Sequence, residues 1–241
     1  MPILTRQDRP QWKHSIETTN KEQHMKDIAI FGAGRFGREV ACLIEWINSS
    51  LTDESERWNL VGYFADGATI GEKNEYGSLL GGRDELNRWP TQLGLVIAIG
   101  IPNAVKSIAE SIVNPNVFFP NLIAPNVLFL DKNNYKMGKG NIICTNCMVS
   151  CNVTIGDFNI FNGYIPIGHD TVIGNYNVIM PSVNISGSVT IGECNFFGVK
   201  SAVLEDMKIG NNTRIGANSV IMRKTKDGFL YIGNPAKRTK L

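Results

Sequence analysis

From Met137 to Val220 the chain is an unbroken six-residue repeat. Hexads begin at Met137, Ile143, Val149, Ile155, Phe161, Ile167, Ile173, Ile179, Ile185, Ile191, Phe197, Val203, Ile209 and Ile215, so all fourteen lead positions are apolar. Only 43% of the whole chain is apolar, so chance does not account for this agreement. A helix needs a period of 3.6 and a half-buried strand a period of 2. Six residues fit a short strand plus a corner, and such a repeat belongs to parallel β-helices. Three hexads make one triangular coil, with lead and fifth positions pointing into the prism. The fifth position is often small or β-branched, as at Val153, Thr171, Val183 and Ser201. The second is often glycine, as at Gly156, Gly174 and Gly192. These glycines are expected to supply corner conformations with positive φ. Residues eighteen apart should stack, which places outward-pointing His169 directly under Gly187.

The segment before the repeat alternates between strand-like and helix-like patterns. Strands are expected at Asp27–Phe31, Leu60–Phe64 and Gly94–Ile99, with a further one near Val117–Phe119. Helices are expected from about Arg38 to Asn48 and from about Ala104 to Val113. This predicts a small βαβ-type α/β domain with a parallel sheet over residues 26–120. A β-helix follows over 121–222, with an irregular lead-in from Pro120 to Lys136 that carries the first imperfect hexads. Residues 223–241, rich in lysine and arginine, are expected to cap the open coil end. The polar stretch 1–25, with His14 and His24, reads as a flexible tail or a mis-assigned start.

Charged residues make up 19% of the chain and net charge is +2, which gives no footprint for nucleic acid. No apolar run approaches the ~18 residues that suggest a membrane span, and no signal-peptide pattern opens the chain. The expectation is a soluble, cytoplasmic protein. Cys144, Cys147 and Cys151 are close in sequence but occupy the second, fifth and third hexad positions, so they diverge rather than converge on a metal. No metal site is expected.

Two features carry chemistry. Gly32-x-Gly34-x-x-Gly37 lies between a strand and a helix, where backbone can approach phosphate at a helix N-terminus. Asp66 follows the second strand and could bind a ribose hydroxyl. Some ninety-five residues are few for a full dinucleotide fold, and no hydride-transfer constellation is visible. A nucleotide-activated sugar fits better, against the alternative of a tight turn with no ligand. The second feature is His169, the one histidine of the repeat, followed by Asp170. A carboxylate can orient an imidazole and make it more basic. Gly187 could present its N–H to a carbonyl that develops negative charge. A base beside an oxyanion donor is the geometry of acyl transfer.

Taken in order, Gly32-Ala33-Gly34-Arg35-Phe36-Gly37-Arg38-Glu39-Val40, Val61-Gly62-Tyr63-Phe64-Ala65-Asp66, Ile97-Ala98-Ile99-Gly100, His169-Asp170-x-x-Ile173-Gly174 and Gly233-Asn234-Pro235-Ala236-Lys237 resemble the NeuD/PglD-type sugar acetyltransferases, within the hexapeptide-repeat acyltransferase superfamily. The resemblance covers about residues 26–238. It implies a nucleotide-sugar-binding, Rossmann-like N-terminal domain and a left-handed parallel β-helix. It also implies a homotrimer with acetyl-CoA bound between subunits, and His169 as general base with Asp170 raising its basicity. Gly187 would face the thioester carbonyl. Val178, Val199 and Ala217 match acetyl-CoA-lining positions. Gly34, Arg35, Phe36, Asp66 and Gly100 match the nucleotide-sugar side, and Asn162 the acceptor sugar. The chain departs from relatives that have a histidine where Phe36 stands, an acid where Ala65 stands, or a polar residue where Ile101 stands. These departures bear on the acceptor more than on the reaction.

The leading expectation is acetyl transfer to an amino group of a nucleotide-linked sugar in surface glycan synthesis. The alternatives are O-acetylation of free sialic acid or another sugar hydroxyl, and a non-catalytic nucleotide-binding scaffold. A β-helix carbonic anhydrase needs three zinc-binding histidines, and the repeat has one.

Overall fold

The computed structural model describes residues 25–239. The expected tail, with His14 and His24, lies outside the described residues except for Met25, as do Lys240 and Leu241.

Strand β1 (Lys26–Phe31) leads through the glycine loop into helix α1 (Arg35–Ser50), and β2 (Trp58–Phe64) returns parallel to β1. A short hairpin, β3 (Lys73–Asn74) and β4 (Gly77–Gly81), precedes helix α2 (Arg83–Asn87). Then come β5 (Leu93–Ile97), helix α3 (Pro102–Ser111) and β6 (Val117–Phe118). The sheet order is β3-β4-β2-β1-β5-β6, parallel except where β3 meets β4. The β3–β4 hairpin and α2 have no counterpart in the expected elements, because they are short and glycine-rich and show no periodicity. Strand β1 is flanked by β2 and β5, whose connections leave in opposite directions. That topological switch opens a crevice at the carboxyl ends of the strands.

The rest of the chain is a left-handed parallel β-helix of two-residue strands, which stack on three faces. The first face carries Ile143, Phe161, Ile179 and Phe197 in register; the second Val149, Ile167, Ile185 and Val203; the third Ile155, Ile173, Ile191 and Ile209. Every lead residue from Ile143 onward is buried, as the period required. After Ile221 the hexads stop. Leu230–Ile232 adds one more parallel strand to the first face, and Lys237–Thr239 folds back on it antiparallel.

Two features of the corners differ from expectation. Positive φ falls at the fourth hexad position, not the second: Asn152, Asp170, Ser188 and Asp206 all lie between 55° and 60°. Large residues such as Phe158 and Tyr176 adopt it too. The strain of a left-handed L-residue is offset by a backbone hydrogen bond to the coil before, for example from Ser188 N–H to His169 O at 2.7 Å. The second-position glycines are there for close approach. A Cβ on Gly174 would lie 2.7 Å from the Gly192 carbonyl oxygen of the next coil.

The interior also holds polar side chains. Asn141, Asn159, Asn177 and Asn195 occupy fifth positions eighteen apart and are fully buried. The side-chain oxygen of each accepts the backbone N–H of the next, and Asn195 passes the ladder to Thr213.

The three outer faces are not alike. Leu122, Ile142, Ile160 and Val178 of the first face are buried in one core with the N-terminal sheet and helices. The third face shows Lys136 and Lys208. Outward positions of the second face, such as Leu130, Met148, Pro166, Ala202, Leu204 and Met222, carry no charge, and Leu130 is 58% exposed.

Candidate active site

His169 sits at the corner between the second and third faces. Its Nδ1 is 2.9 Å from Asp170 Oδ2. An ionised carboxylate only accepts hydrogen bonds, so Nδ1 carries the proton in the neutral ring and Nε2 is left as the basic atom. Asn152, one coil earlier in Asp170's column, donates its amide to Asp170 Oδ1 at 2.6 Å. The Asn152 amide first, and then the His169 ring, hold the Asp170 carboxyl below its usual range. The acid that orients the ring is therefore itself fixed from below. The ring is half exposed.

The eighteen-residue step is borne out at this corner. A Cβ on Gly187 would stand 2.5 Å from His169 Nε2. Only glycine lets the imidazole lie against the next coil. The Gly187 carbonyl accepts from Asp206 N–H, whereas the Gly187 N–H has no acceptor among the described residues. One coil further, Glu205 Oε1 lies 3.8 Å from His169 Nε2. The sequence reading missed Asn152 and Glu205. The signal for both was the same arithmetic, one coil below Asp170 and one above Gly187.

A second group lines the corner between the first and second faces. Asn162 opens onto a cavity of about 580 Å³ between the β-helix and α1, walled by Trp46, Tyr164, Glu39, Cys42 and Cys144. Val199 and Ala217 stack eighteen apart on the same edge and are exposed. Val178 does not join them. It lies on the first face, 1% exposed, packed into the core beneath the N-terminal domain. Its hexad position says only that it points outward; the domain docked over that face buries it.

Burial first, then neighbouring Cys147 and Glu39, push the Cys144 thiol up to about 12. Cys147 faces the prism interior and Cys151 is exposed. At pH 8, iodoacetamide should therefore modify Cys42 and Cys151 within minutes and leave Cys144 intact, because the thiolate is the nucleophile. Peptide mapping by mass spectrometry reads this directly. Rapid loss of the Cys144 peptide would show that α1 does not stay packed on the coils.

The glycine loop lies in the sheet's crevice. Gly32 has φ +117°, and a Cβ there would stand 2.7 Å from the Ala98 carbonyl oxygen. Gly37 packs its backbone directly on the Gly32 carbonyl. Gly34 and Gly100 face open space, Arg35 begins α1, and Phe36 packs against the core. Loop and α1 N-terminus thus leave backbone accessible to an anion. Asp66 borders a separate hollow of about 300 Å³ with Ala65, Arg83 and Glu85. Both its oxygens are engaged: Arg83 Nε donates at 2.7 Å and Arg83 N–H at 3.1 Å. Burial pushes the Asp66 carboxyl up, but the Arg83 bonds and charge outweigh it and leave it lowered. Asp66 is thus held as a pair with Arg83, and no spacing in the sequence pointed to Arg83.

A βαβ crevice is thus fused to a β-helix that carries a histidine–carboxylate corner. Residues 27–112 match the family described as the PglD N-terminal domain. No curated protein matches the sequence. Among solved structures, the chain is similar to the acetyltransferase domain of PglB from Neisseria gonorrhoeae in complex with acetyl coenzyme A. The TM-score is 0.77 and identity 24%, over 90% of this chain and 100% of that one. It is also similar to PerB from Caulobacter crescentus, in complex with CoA and GDP-perosamine, with TM-score 0.74 and identity 24% over 90% and 98%. WeeI from Acinetobacter baumannii gives 0.77 and 22% over 89% and 100%. At these identities the likeness is one of fold.

Proposed function

We propose that this protein is an acetyl-CoA-dependent acetyltransferase acting on a nucleotide-activated amino sugar, in the cytoplasmic stage of surface polysaccharide synthesis. The observation that carries it is the His169–Asp170 pair lying against Gly187, whose N–H has no acceptor among the described residues. The acceptor amine attacks the thioester carbonyl and a C–N bond forms. His169 Nε2 takes the amine proton, and the Gly187 N–H stabilises the oxyanion. As the intermediate collapses, the C–S bond breaks and the proton passes from Nε2 to the departing thiolate, giving free CoA. No covalent enzyme intermediate is needed.

The proposal includes a homotrimer with active sites between subunits. Asn162, Val199 and Ala217 lie on one edge of the second face and His169 on the other, so one chain cannot bring them around one acetyl group. Packing the uncharged second face against copies of itself would set one subunit's Asn162 edge beside its neighbour's His169 edge. Gly34, Arg35, Phe36, Asp66 and Gly100 would hold the nucleotide.

Thiol release from acetyl-CoA should be measured across UDP-, GDP- and CMP-linked amino and hydroxy sugars and free sialic acid. Turnover is expected with one nucleotide-linked amino sugar. Turnover with sialic acid alone would replace the proposal by O-acetylation. Nucleotide binding with neither turnover nor acetyl-CoA binding would replace it by a scaffold.

A further inference from the structure

Glu205 is not used by the mechanism above, and its position is informative. It stands in the His169–Gly187 column, and the missing side chain at Gly187 leaves nothing between its carboxylate and the ring. Its Oε1 is 3.8 Å from Nε2, too far for a hydrogen bond but within ion-pair distance. No lysine or arginine lies within 4.0 Å of it among the described residues. Asp170 already holds Nδ1, so the ring is flanked by two carboxylates with different tasks. A nitrogen placed about 2.9 Å from both Nε2 and Oε1 closes a triangle on that 3.8 Å base, with ordinary hydrogen-bond lengths on each side.

Proton stoichiometry says what such a nitrogen is. A hydroxyl acceptor brings one proton to lose, and the departing thiolate takes it. An amine with pKa of about 8 arrives at neutral pH largely as an ammonium. It must lose two protons: one before attack, to free the lone pair, and one during it. His169 can return only one of these to the thiolate.

Resting on the acetyl-transfer reading above, we infer that Glu205 is the docking group for the acceptor's ammonium. Its carboxylate pairs with R–NH3+ beside Nε2. The first proton leaves to solvent along this exposed edge, and the neutral amine then gives its second proton to His169. The site is thereby matched to amines over hydroxyls. The ionisable groups around it are His169 and Asp170 from two coils below, Asp206 next in sequence, and Arg223 one step up the column.

The test compares wild type with Glu205→Gln on GDP-perosamine and GDP-rhamnose, which carry an amine and a hydroxyl at the same carbon, and on the matching UDP-linked pair. At pH 7 the variant should show about a tenfold rise in KM for the amine, with kcat for the bound amine changed far less. At pH 9.5, where the amine arrives neutral, the two proteins should agree within about twofold. A purely structural role would give the same deficit at both pH values. An unchanged KM, a deficit independent of pH, or wild-type turnover of the hydroxyl sugar alone would overturn the inference while leaving acetyl transfer standing. Wild-type silence on all four sugars, with no binding of acetyl-CoA, would overturn both.

Discussion

Replacing His169 with alanine should lower kcat for acetyl transfer by about 10²–10⁴-fold, the usual contribution of a positioned general base. The ring is half exposed, so its removal opens no core cavity. Gly187 keeps its N–H, and the outer edge with Val199 and Ala217 is untouched. Binding of acetyl-CoA, measured by calorimetry, should therefore stay within about threefold of wild type, and the loss should appear in kcat. Residual turnover would come from approximation of the two substrates and from the oxyanion contact. Asp170→Asn should give a smaller loss, because the ring remains while its fixed anionic partner is gone. Full retention of turnover in His169→Ala would remove the histidine from the mechanism, and the case for Glu205 would fall with it.

How much of this was legible in the sequence depended on whether a residue's position follows from the period alone. Inward leads such as Ile167 and Ile185 were, because an apolar side chain every six residues has one place to go in a triangular prism. The His169–Gly187 contact was too, since it needs only the step of eighteen. Val178 was not: the period makes it outward, and only the docking of the N-terminal domain decides which outward face is covered. The left-handed corner was hidden because its occupants do not look alike. Asn152 and Asp170 are tolerant of positive φ, but Phe158 and Tyr176 in equivalent places are not. Glycine, the usual marker, sat at the second position for a different reason. In the N-terminal domain, β1, β2 and β5 were visible as apolar runs. The Asp66–Arg83 pair depends on where a five-residue helix lands, which no local pattern announces.

The asparagine ladder leads to the largest stability effect expected here. Asn177 is fully buried in the middle of the stack. Its Oδ1 accepts the Asn195 N–H at 3.0 Å, and its Nδ2 donates to Asn159 Oδ1 at 2.9 Å and to the Gly192 carbonyl at 3.0 Å. Asn177→Ala strands the buried Asn195 N–H and takes a donor from the part-buried Gly192 carbonyl. Each stranded group costs about 1–3 kcal/mol, so the variant should lose about 2–5 kcal/mol in urea unfolding. Asn175 is the control two residues away. It makes comparable bonds, accepting the Asp157 N–H at 2.7 Å and donating to Glu193 at 2.9 Å, but at a partly exposed corner. Water can replace those bonds, so Asn175→Ala should cost about 1 kcal/mol or less. Equal losses would mean that the apolar leads alone hold the corners and the buried amides are incidental. A large difference would mean that the fifth position trades apolar burial for hydrogen bonds fixing one coil's height above the next. That spacing is what sets Gly187 against His169.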